Sequence, residues 1–561
     1  MVSSIATAAF ADTYDLNKGS VTVETKADGI TYVTQKDDKQ ADGYARNEND
    51  DILHDYQDKT GVTITSGGEK TSNTITVDTA KDQTTDVTLQ DVHIEVNTTR
   101  AKSGAIEIKG DGDTNLELNG DNTVLVENEW SEEHAAIEKA DKYGTGTLTI
   151  KDDVNDNGTE KSGTEADTTG KLLAGGYHNS AAIGGGSNTY NREYSLADTS
   201  NITITGGEIT AIGGNDGCAG IGGGYNGTGK NIRIEGNAHV TAVAGDGAAI
   251  GGGIGSGNSV TITDDAVVDA YSAFAAAIGN GDQVGRPNDP TTITISGNAT
   301  VHAENSQRGG CAIGNGRDGS LSDLTVNIEK NANVTAISSY DCPAIGTPLC
   351  IGATTTTINI TGGTVNAINS FGSDNPEYSS QYDGTRDTSP AIGTTIDSDR
   401  SGTCNVNINS STGDTVVNAY IYGKGSGTAI GSRYKGQNVP ADSASYKADG
   451  SSHFGERNSA IVNCYNNGTV AKEKLNLPST KDPLALNYNK YSHTITGGTL
   501  TKVVHNRKYM EENPNIDTSD LKDEDLYTYV TLAGTEFLSK QGCYANVFES
   551  CASGQRRGNS R

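Results

Sequence analysis

Short bursts of strict apolar–polar alternation run along most of the chain. They begin at Thr74-Ile75-Thr76-Val77, Asp86-Val87-Thr88-Leu89 and Val92-His93-Ile94-Glu95-Val96, and such period-2 patterns predict half-buried β-strands. From residue 201 the bursts come in pairs. A first strand such as Ile202-Thr203-Ile204-Thr205, Val260-Thr261-Ile262-Thr263 or Ile293-Thr294-Ile295-Ser296 is followed by a turn such as Gly206-Gly207, Asp264-Asp265 or Gly297-Asn298. A second, shorter strand then follows, such as Glu208-Ile209-Thr210-Ala211 or Thr300-Val301-His302-Ala303. Alternation puts Ile and Val of both strands on one face and Thr, Asn and Glu on the other.

A third piece closes each unit. Ala182-Ile183-Gly184 returns as Gly220-Ile221-Gly222, Ala249-Ile250-Gly251, Ala277-Ile278-Gly279, Ala312-Ile313-Gly314, Ala344-Ile345-Gly346, Ala391-Ile392-Gly393 and Ala429-Ile430-Gly431. Successive Ile numbers differ by 38, 29, 28, 35, 32, 47 and 38, so a unit of about 28 residues recurs with loops of variable length. Ala105-Ile106-Glu107 and Ala136-Ile137-Glu138 are earlier variants of the phrase. Three short strands per unit with no helical spacer exclude a doubly wound fold. The Leu/Asn ladder of leucine-rich repeats and the aromatic signatures of propellers are absent. The expected fold is all-β: a single right-handed parallel β-helix with about three short strands per coil and irregular ends. In the phrase, Ile is expected to point inward, the small residue before it to allow tight stacking, and Gly to make the corner.

The resulting division has five parts. Residues 1–11 have the character of the end of a secretory signal with an Ala9-Phe10-Ala11 cleavage site. Residues 12–71 form a polar N-terminal capping region, 72–435 the β-helix and 436–505 late irregular coils, of which Ile461-Val462 and Thr494–Leu500 are two. Residues 506–561 form a partly disordered C-terminal extension, with a short charged helix as one option for 508–525.

Charge narrows the partners. A formal net charge of −30 opposes nucleic-acid binding, because phosphate recognition needs a positive footprint. No apolar run is long enough for a membrane span. The eight cysteines have no CxxC spacing. Cys218, Cys311 and Cys342 stand two or three residues before a phrase Ile, where other units place Ala, Gly or Ser; they are expected to be small buried side chains, with a disulfide between adjacent coils as the alternative.

The segments AAIGGG (181–186) and ITITGG (202–207), with LELNG (116–120) and GTLTI (146–150), resemble the repeat region of secreted and cell-surface β-helix proteins of Gram-positive anaerobes described as carbohydrate-binding domain-containing proteins. The likeness spans residues 72 to 435. It implies a β-helical fold, an extracellular location and, more weakly, a polysaccharide or glycan partner.

Two groups of residues carry candidate chemistry. Asp153-Val154-Asn155-Asp156-Asn157-Gly158 matches the opening of a calcium loop, which makes Asp153, Asn155 and Asn157 candidate ligands; the bidentate acid expected at the twelfth place is displaced, since Thr164 holds that place and Glu165 follows. Calcium is thus an optional rather than a required cofactor, with an ordinary polar turn as the alternative. Tyrosines outnumber phenylalanines 24 to 6 and many flank the repeated phrase. Tyr177, Tyr190, Tyr194, Tyr225, Tyr271, Tyr340, Tyr382, Tyr420, Tyr422 and Tyr434 are the candidate carbohydrate contacts, because a Tyr ring offers an apolar face and a hydroxyl to a sugar; the alternative is that they cover loop backbone. No glycosidase or lyase signature is present, and His178, His239 and His302 are expected at the surface. The function expected is therefore non-catalytic carbohydrate binding, outside the cell, through Tyr-rich and Asn/Thr-rich faces. An adhesin or structural stalk presenting a protein-binding end to a host or cell-wall protein is the first alternative, and a pectinolytic lyase or hydrolase the second.

Overall fold

A computed structural model describes residues 12–36, 52–58, 61–97, 103–127, 134–153, 170–187, 194–214, 216–255, 258–281, 289–305, 310–316, 322–338, 342–350, 354–369, 389–396, 403–408, 415–421, 430–434, 461–466, 469–477, 488–496, 499–505 and 527–533. The chain winds as a parallel β-helix. It passes in turn through three sheets of 12, 14 and 14 strands, here called A, C and B in the order of each coil. One coil illustrates the path: Thr199–Ile204 lies in sheet A, Glu208–Ile212 in sheet C and Ile221–Gly222 in sheet B, after which Gly229–Ile234 returns to sheet A.

Register follows the alternation. Ile202, Ile232, Val260, Ile293, Val326 and Ile358 stack in sheet A, and Ile209, Val240, Val268, Val301, Val334 and Val365 in sheet C. All are at most 2% exposed. Each such side chain contributes about 1.5–3 kcal/mol by leaving water, and a one-residue slip would turn a strand's apolar set outward.

Sheet B is the side made by the repeated phrase. Val21, Ile75, Ile106, Ile137, Ile183, Ile221, Ile250, Ile278, Ile313, Ile345, Ile392 and Ile430 form one column, with none above 1% exposed. The phrase is a tight five-residue loop with this Ile at its tip. The N–H of the first residue donates to the carbonyl of the fifth, as in Ala181 to Gly185 (3.0 Å), Ala219 to Gly223 (2.8 Å), Ala248 to Gly252 (2.9 Å) and Ala276 to Asn280 (3.1 Å). Two further bonds join one phrase to the next: Ile250 N–H to the Ala277 carbonyl (2.9 Å) and Gly252 N–H to the Gly279 carbonyl (2.9 Å).

The glycine after Ile makes this loop feasible. Gly251 and Gly279 both have φ of +133°, a region L residues rarely adopt. A Cβ on Gly251 would stand 2.2 Å from the carbonyl oxygen of Gly279. In the earlier coils Glu107 and Glu138 hold the corresponding register, and neither has a positive φ.

Backbone groups at the corners are satisfied by buried polar side chains. The last residue of successive sheet C strands bonds to the loop that leads to the phrase. Ser272 Oγ donates to the Gly247 carbonyl (3.0 Å), Asn305 Nδ2 to that of Ala275 (2.7 Å), Ser338 Oγ to that of Cys342 (2.6 Å) and Asn369 Nδ2 to that of Ser389 (2.9 Å). A second buried line follows the phrase: Asn258 donates to Asn280, Asn280 Nδ2 to Asn315 Oδ1 (2.6 Å), and Asn315 Nδ2 to Thr347 Oγ1 (3.1 Å). Cys218, Cys311 and Cys342 are buried small residues before the phrase, and Cys218 Sγ donates to the His178 carbonyl (3.4 Å).

The stack extends beyond the alternating region at its N-terminal side. Asp12–Asp15 and Val62–Thr65 already pair in parallel in sheet A, and Val21–Thr25 pairs in parallel with Ile75–Thr79 in sheet B. Two antiparallel strands, Thr31–Lys36 and Ile52–Asp58, then finish that edge of sheet B. At the other end Ile461–Asn466 continues sheet C in parallel, whereas Thr499–His505 and Tyr527–Ala533 add in antiparallel fashion and Thr469–Leu477 pairs with Tyr488–Thr496 as a hairpin. Thr494–Leu500 thus joins two antiparallel pairings rather than a further coil. Residues 1–11 and 508–525 lie outside the described residues.

Replacing Gly279 with Ala is expected to cost about 3 kcal/mol, from strained φ and the clash of the added Cβ with the next coil. Thr261→Ala, on the outer face, is expected to change stability by about 0.5 kcal/mol or less. Urea unfolding of both variants checks the contrast.

Candidate functional site

The structure sorts the candidate tyrosines into distinct environments. Tyr190, Tyr340, Tyr382 and Tyr422 lie outside the described residues, and for Tyr194, Tyr420 and Tyr434 only the backbone is described. Tyr194 begins a short helix, Tyr194–Ala197. Tyr271 and Tyr420 are strand residues rather than loop residues. They occupy one register position on the outer face of sheet C, in the column Ile212, Val243, Tyr271, Glu304, Ile337, Ile368, Tyr420. Tyr271 is 5% exposed and packs with Ile212 and Val243. Distance along the chain from the phrase was the only signal that grouped it with the loop residues, and strand register separates them.

Tyr177 and Tyr225 do come together, around the turn at residues 177–180. Ser180 Oγ donates to the Tyr177 carbonyl (2.9 Å) and Tyr225 N–H donates to the Asn179 carbonyl (2.9 Å). Both tyrosines are half-buried. The Tyr177 ring meets the His178 imidazole edge to face, with centroids 4.2 Å apart. His178 Nδ1 lies 3.7 Å from Asp216 Oδ2, and Asp216 N–H donates to the His178 carbonyl (3.1 Å). Gly217 leaves room here: a Cβ on it would stand 2.3 Å from Ile254 Cδ1 and 3.0 Å from Tyr225 Cδ2. The cluster therefore joins loops on both sides of the phrase, which the tight loop with Ile at its tip brings side by side.

The calcium motif is described only at its start. Asp153 Oδ2 accepts from Lys151 Nζ (3.1 Å), while Asn155 and Asn157 lie outside the described residues. Among the described residues no group of three or more His, Cys, Asp or Glu side chains is arranged to hold a metal ion, and no helix is long and apolar enough to cross a membrane.

Buried ionisable groups cluster on sheet B and just after it, and the sequence patterns did not single them out. Glu107 and Glu138 are ladder neighbours in register, 4% and 0% exposed. His134 Nδ1 lies 2.6 Å from Glu138 Oε2, and Lys109 Nζ lies 2.8 Å from Glu107 Oε2. Burial raises the Glu138 carboxyl above its ordinary range, with Glu107 reinforcing the rise and His134 opposing it. Lys139 is 1% exposed; burial lowers its ammonium, whose Nζ donates to the Gly144 carbonyl (3.0 Å). The only hint in the sequence is Glu in place of Gly in the two Ala-Ile-Glu phrases. His302, expected at the surface, is 6% exposed beside buried Glu304 (Nε2 to Oε2, 3.6 Å) and the Tyr271 ring (5.6 Å between centroids). It faces outward from its strand but is covered there, as are Thr335 and Asn366 in the same column, whereas Thr210, Thr241 and Asp269 are half-buried.

Comparisons with protein-family models, curated proteins and solved structures return no match.

A raised carboxyl stabilises the fold fully below its unfolded value, ordinarily 4.5, and loses that contribution as pH climbs through the native value. Glu138→Gln removes this dependence. The melting temperature of the variant relative to the parent is expected to rise as pH increases above the ordinary carboxyl value of 4.5, as measured by calorimetry.

Proposed function

We propose that this chain is a secreted or cell-surface, non-catalytic β-helix that binds a polysaccharide or host glycan. The observation that carries the reading is the pair Tyr177 and Tyr225, half-buried and fixed by backbone bonds around one turn. A partly exposed, immobilised Tyr presents ring and hydroxyl together at little entropic cost, and that combination suits a neutral sugar. The acidic net charge is compatible with a neutral ligand and unfavourable for polyanions.

Two features favour binding over catalysis. The paired carboxylates Glu107 and Glu138 are sealed from solvent, whereas a hydrolytic pair must face the glycosidic bond. The residues that meet at the 177–180 turn offer rings and one His–Asp contact, without a second carboxylate among those described.

A structural stalk is the second reading. It is favoured by the continuous column of sheet B from Val21 to Ile430, which joins successive coils into one stack. Calcium at the Asp153 loop stays an optional addition in both readings.

Pull-down on insoluble and soluble polysaccharides, with parallel assays for reducing ends and unsaturated products, tests the proposal. The intact chain is expected to bind without releasing product. Tyr177→Ala combined with Tyr225→Ala is expected to weaken binding about tenfold, in line with the loss of aromatic contacts. Product release, or binding to no glycan, would overturn it.

A further inference from the structure

The outer surface of sheet A is uncharged over several successive coils. Ser259, Thr292, Thr325 and Thr357 form one outward row across four coils, and Thr261, Thr294, Asn327 and Asn359 form a second beside it. All eight are at least partly exposed. None is charged, although the chain as a whole bears −30. Charged residues stand at the borders: Arg233 occupies the second row in the preceding coil, bound to its neighbour Glu235, while Asp264, Asp265 and Glu329 lie just beyond the strands.

The geometry of the patch is set by the sheet. Hydroxyls and amides repeat about every 4.8 Å from strand to strand and about every 6.7 Å along a strand. The side chains are also held. Threonine is stiff at χ1, and Asn359 Nδ2 donates to Asn327 Oδ1 (2.9 Å), which in turn donates through Nδ2 to Thr294 Oγ1 (3.4 Å).

We infer that this neutral, ordered face of sheet A is a binding surface for an insoluble, uncharged polysaccharide. The inference rests on the glycan-binding reading above and assigns it a second, larger surface than the tyrosine turn. One hydroxyl or amide contact exchanged against water yields only about 0.5–1.5 kcal/mol, so a single sugar or a short flexible oligomer gains little here. A partner that presents uncharged hydroxyls to several coils at once accumulates such contacts while its own order keeps the entropic cost low. Polyanions meet the repulsion of the whole chain, and an apolar partner finds no apolar area in these rows.

The test uses the full chain on microcrystalline cellulose, insoluble xylan and chitin, with soluble oligomers of the same sugars as competitors. The variants are Thr294→Ala/Thr325→Ala/Thr357→Ala, the same three positions changed to Ser, and Tyr177→Ala/Tyr225→Ala; circular dichroism melting confirms that each is folded. The expected result is binding to at least one insoluble polymer, poor competition by its oligomers, at least about tenfold weaker binding by the triple Ala variant, and retention by the Ser variant. Undiminished binding by the triple Ala variant overturns the inference, and if the tyrosine variant then loses binding, the glycan reading survives without it. Binding to no insoluble polymer overturns the inference, and glycan reading falls with it only if soluble glycans are not bound either. Sedimentation showing that the parent self-associates and the triple Ala variant does not would assign the face to a second copy of the chain and likewise overturn the inference.

Discussion

The fold depends on how closely the third side of each coil approaches the next. In the coils from Ile183 to Gly314 that side has only two strand residues per turn, so the backbone must reverse within five residues and still hydrogen-bond upward. Glycine after the isoleucine satisfies both demands. Its positive φ turns the chain, and the missing Cβ leaves the space filled by the carbonyl of the following coil, 2.2 Å from where a Cβ on Gly251 would stand. Because the loop is so tight, Ile250 and its counterparts become tips that project into the core, and the flanking loops are forced together outside it. The inner ladder and the outer loop clusters are consequences of one backbone constraint.

That constraint leaves corner carbonyls inside the protein, where an unsatisfied polar group costs about 1–3 kcal/mol. Ser272, Asn305, Ser338 and Asn369 each supply a donor from the end of a strand, while Asn280 and Asn315 form a polar line parallel to the isoleucine column. The β-helix is therefore not simply an apolar core wrapped in polar strands. Several coils carry a buried polar fastening, and loops of different length are inserted between the strands while the Ile and Gly partners of sheet B are kept. Spacings from 28 to 47 residues between successive phrase isoleucines keep the same Ile-to-Ile and Gly-to-Gly partners, although at the longest spacing the register shifts past Thr347.

Much of the architecture was legible in the sequence because alternation and the repeated phrase report inward positions directly. Thr261 outward, Ile262 inward and Ile278 at the column follow from period and repetition alone. Other features were not legible, for identifiable reasons. Asp12–Asp15 joins sheet A although its four residues are too few and too polar to display a period. Proximity to the phrase in the chain sets Tyr271 among the loop tyrosines, yet a sheet position decides its burial. His302 sits at an outward strand position that is nevertheless covered. The placing of Tyr225 at the turn that holds Tyr177 needed the three-dimensional meeting of loops on opposite sides of the phrase, and the Glu107–Glu138 ladder needed knowledge of which coil lies above which. The outer surface, where a ligand would bind, varies from coil to coil because stacking constrains only what points inward or turns the corner.

Hydrogen exchange of the backbone amides tests most directly the claim that the phrase is a true third sheet. The N–H groups of Ile221, Ile250, Ile278 and Ile313, each bonded to the carbonyl of the next coil, are predicted to exchange as slowly as those at the centres of sheets A and C and to open together with them. Exchange at the rate of exposed loops at these four positions, while sheets A and C remain protected, would contradict the account.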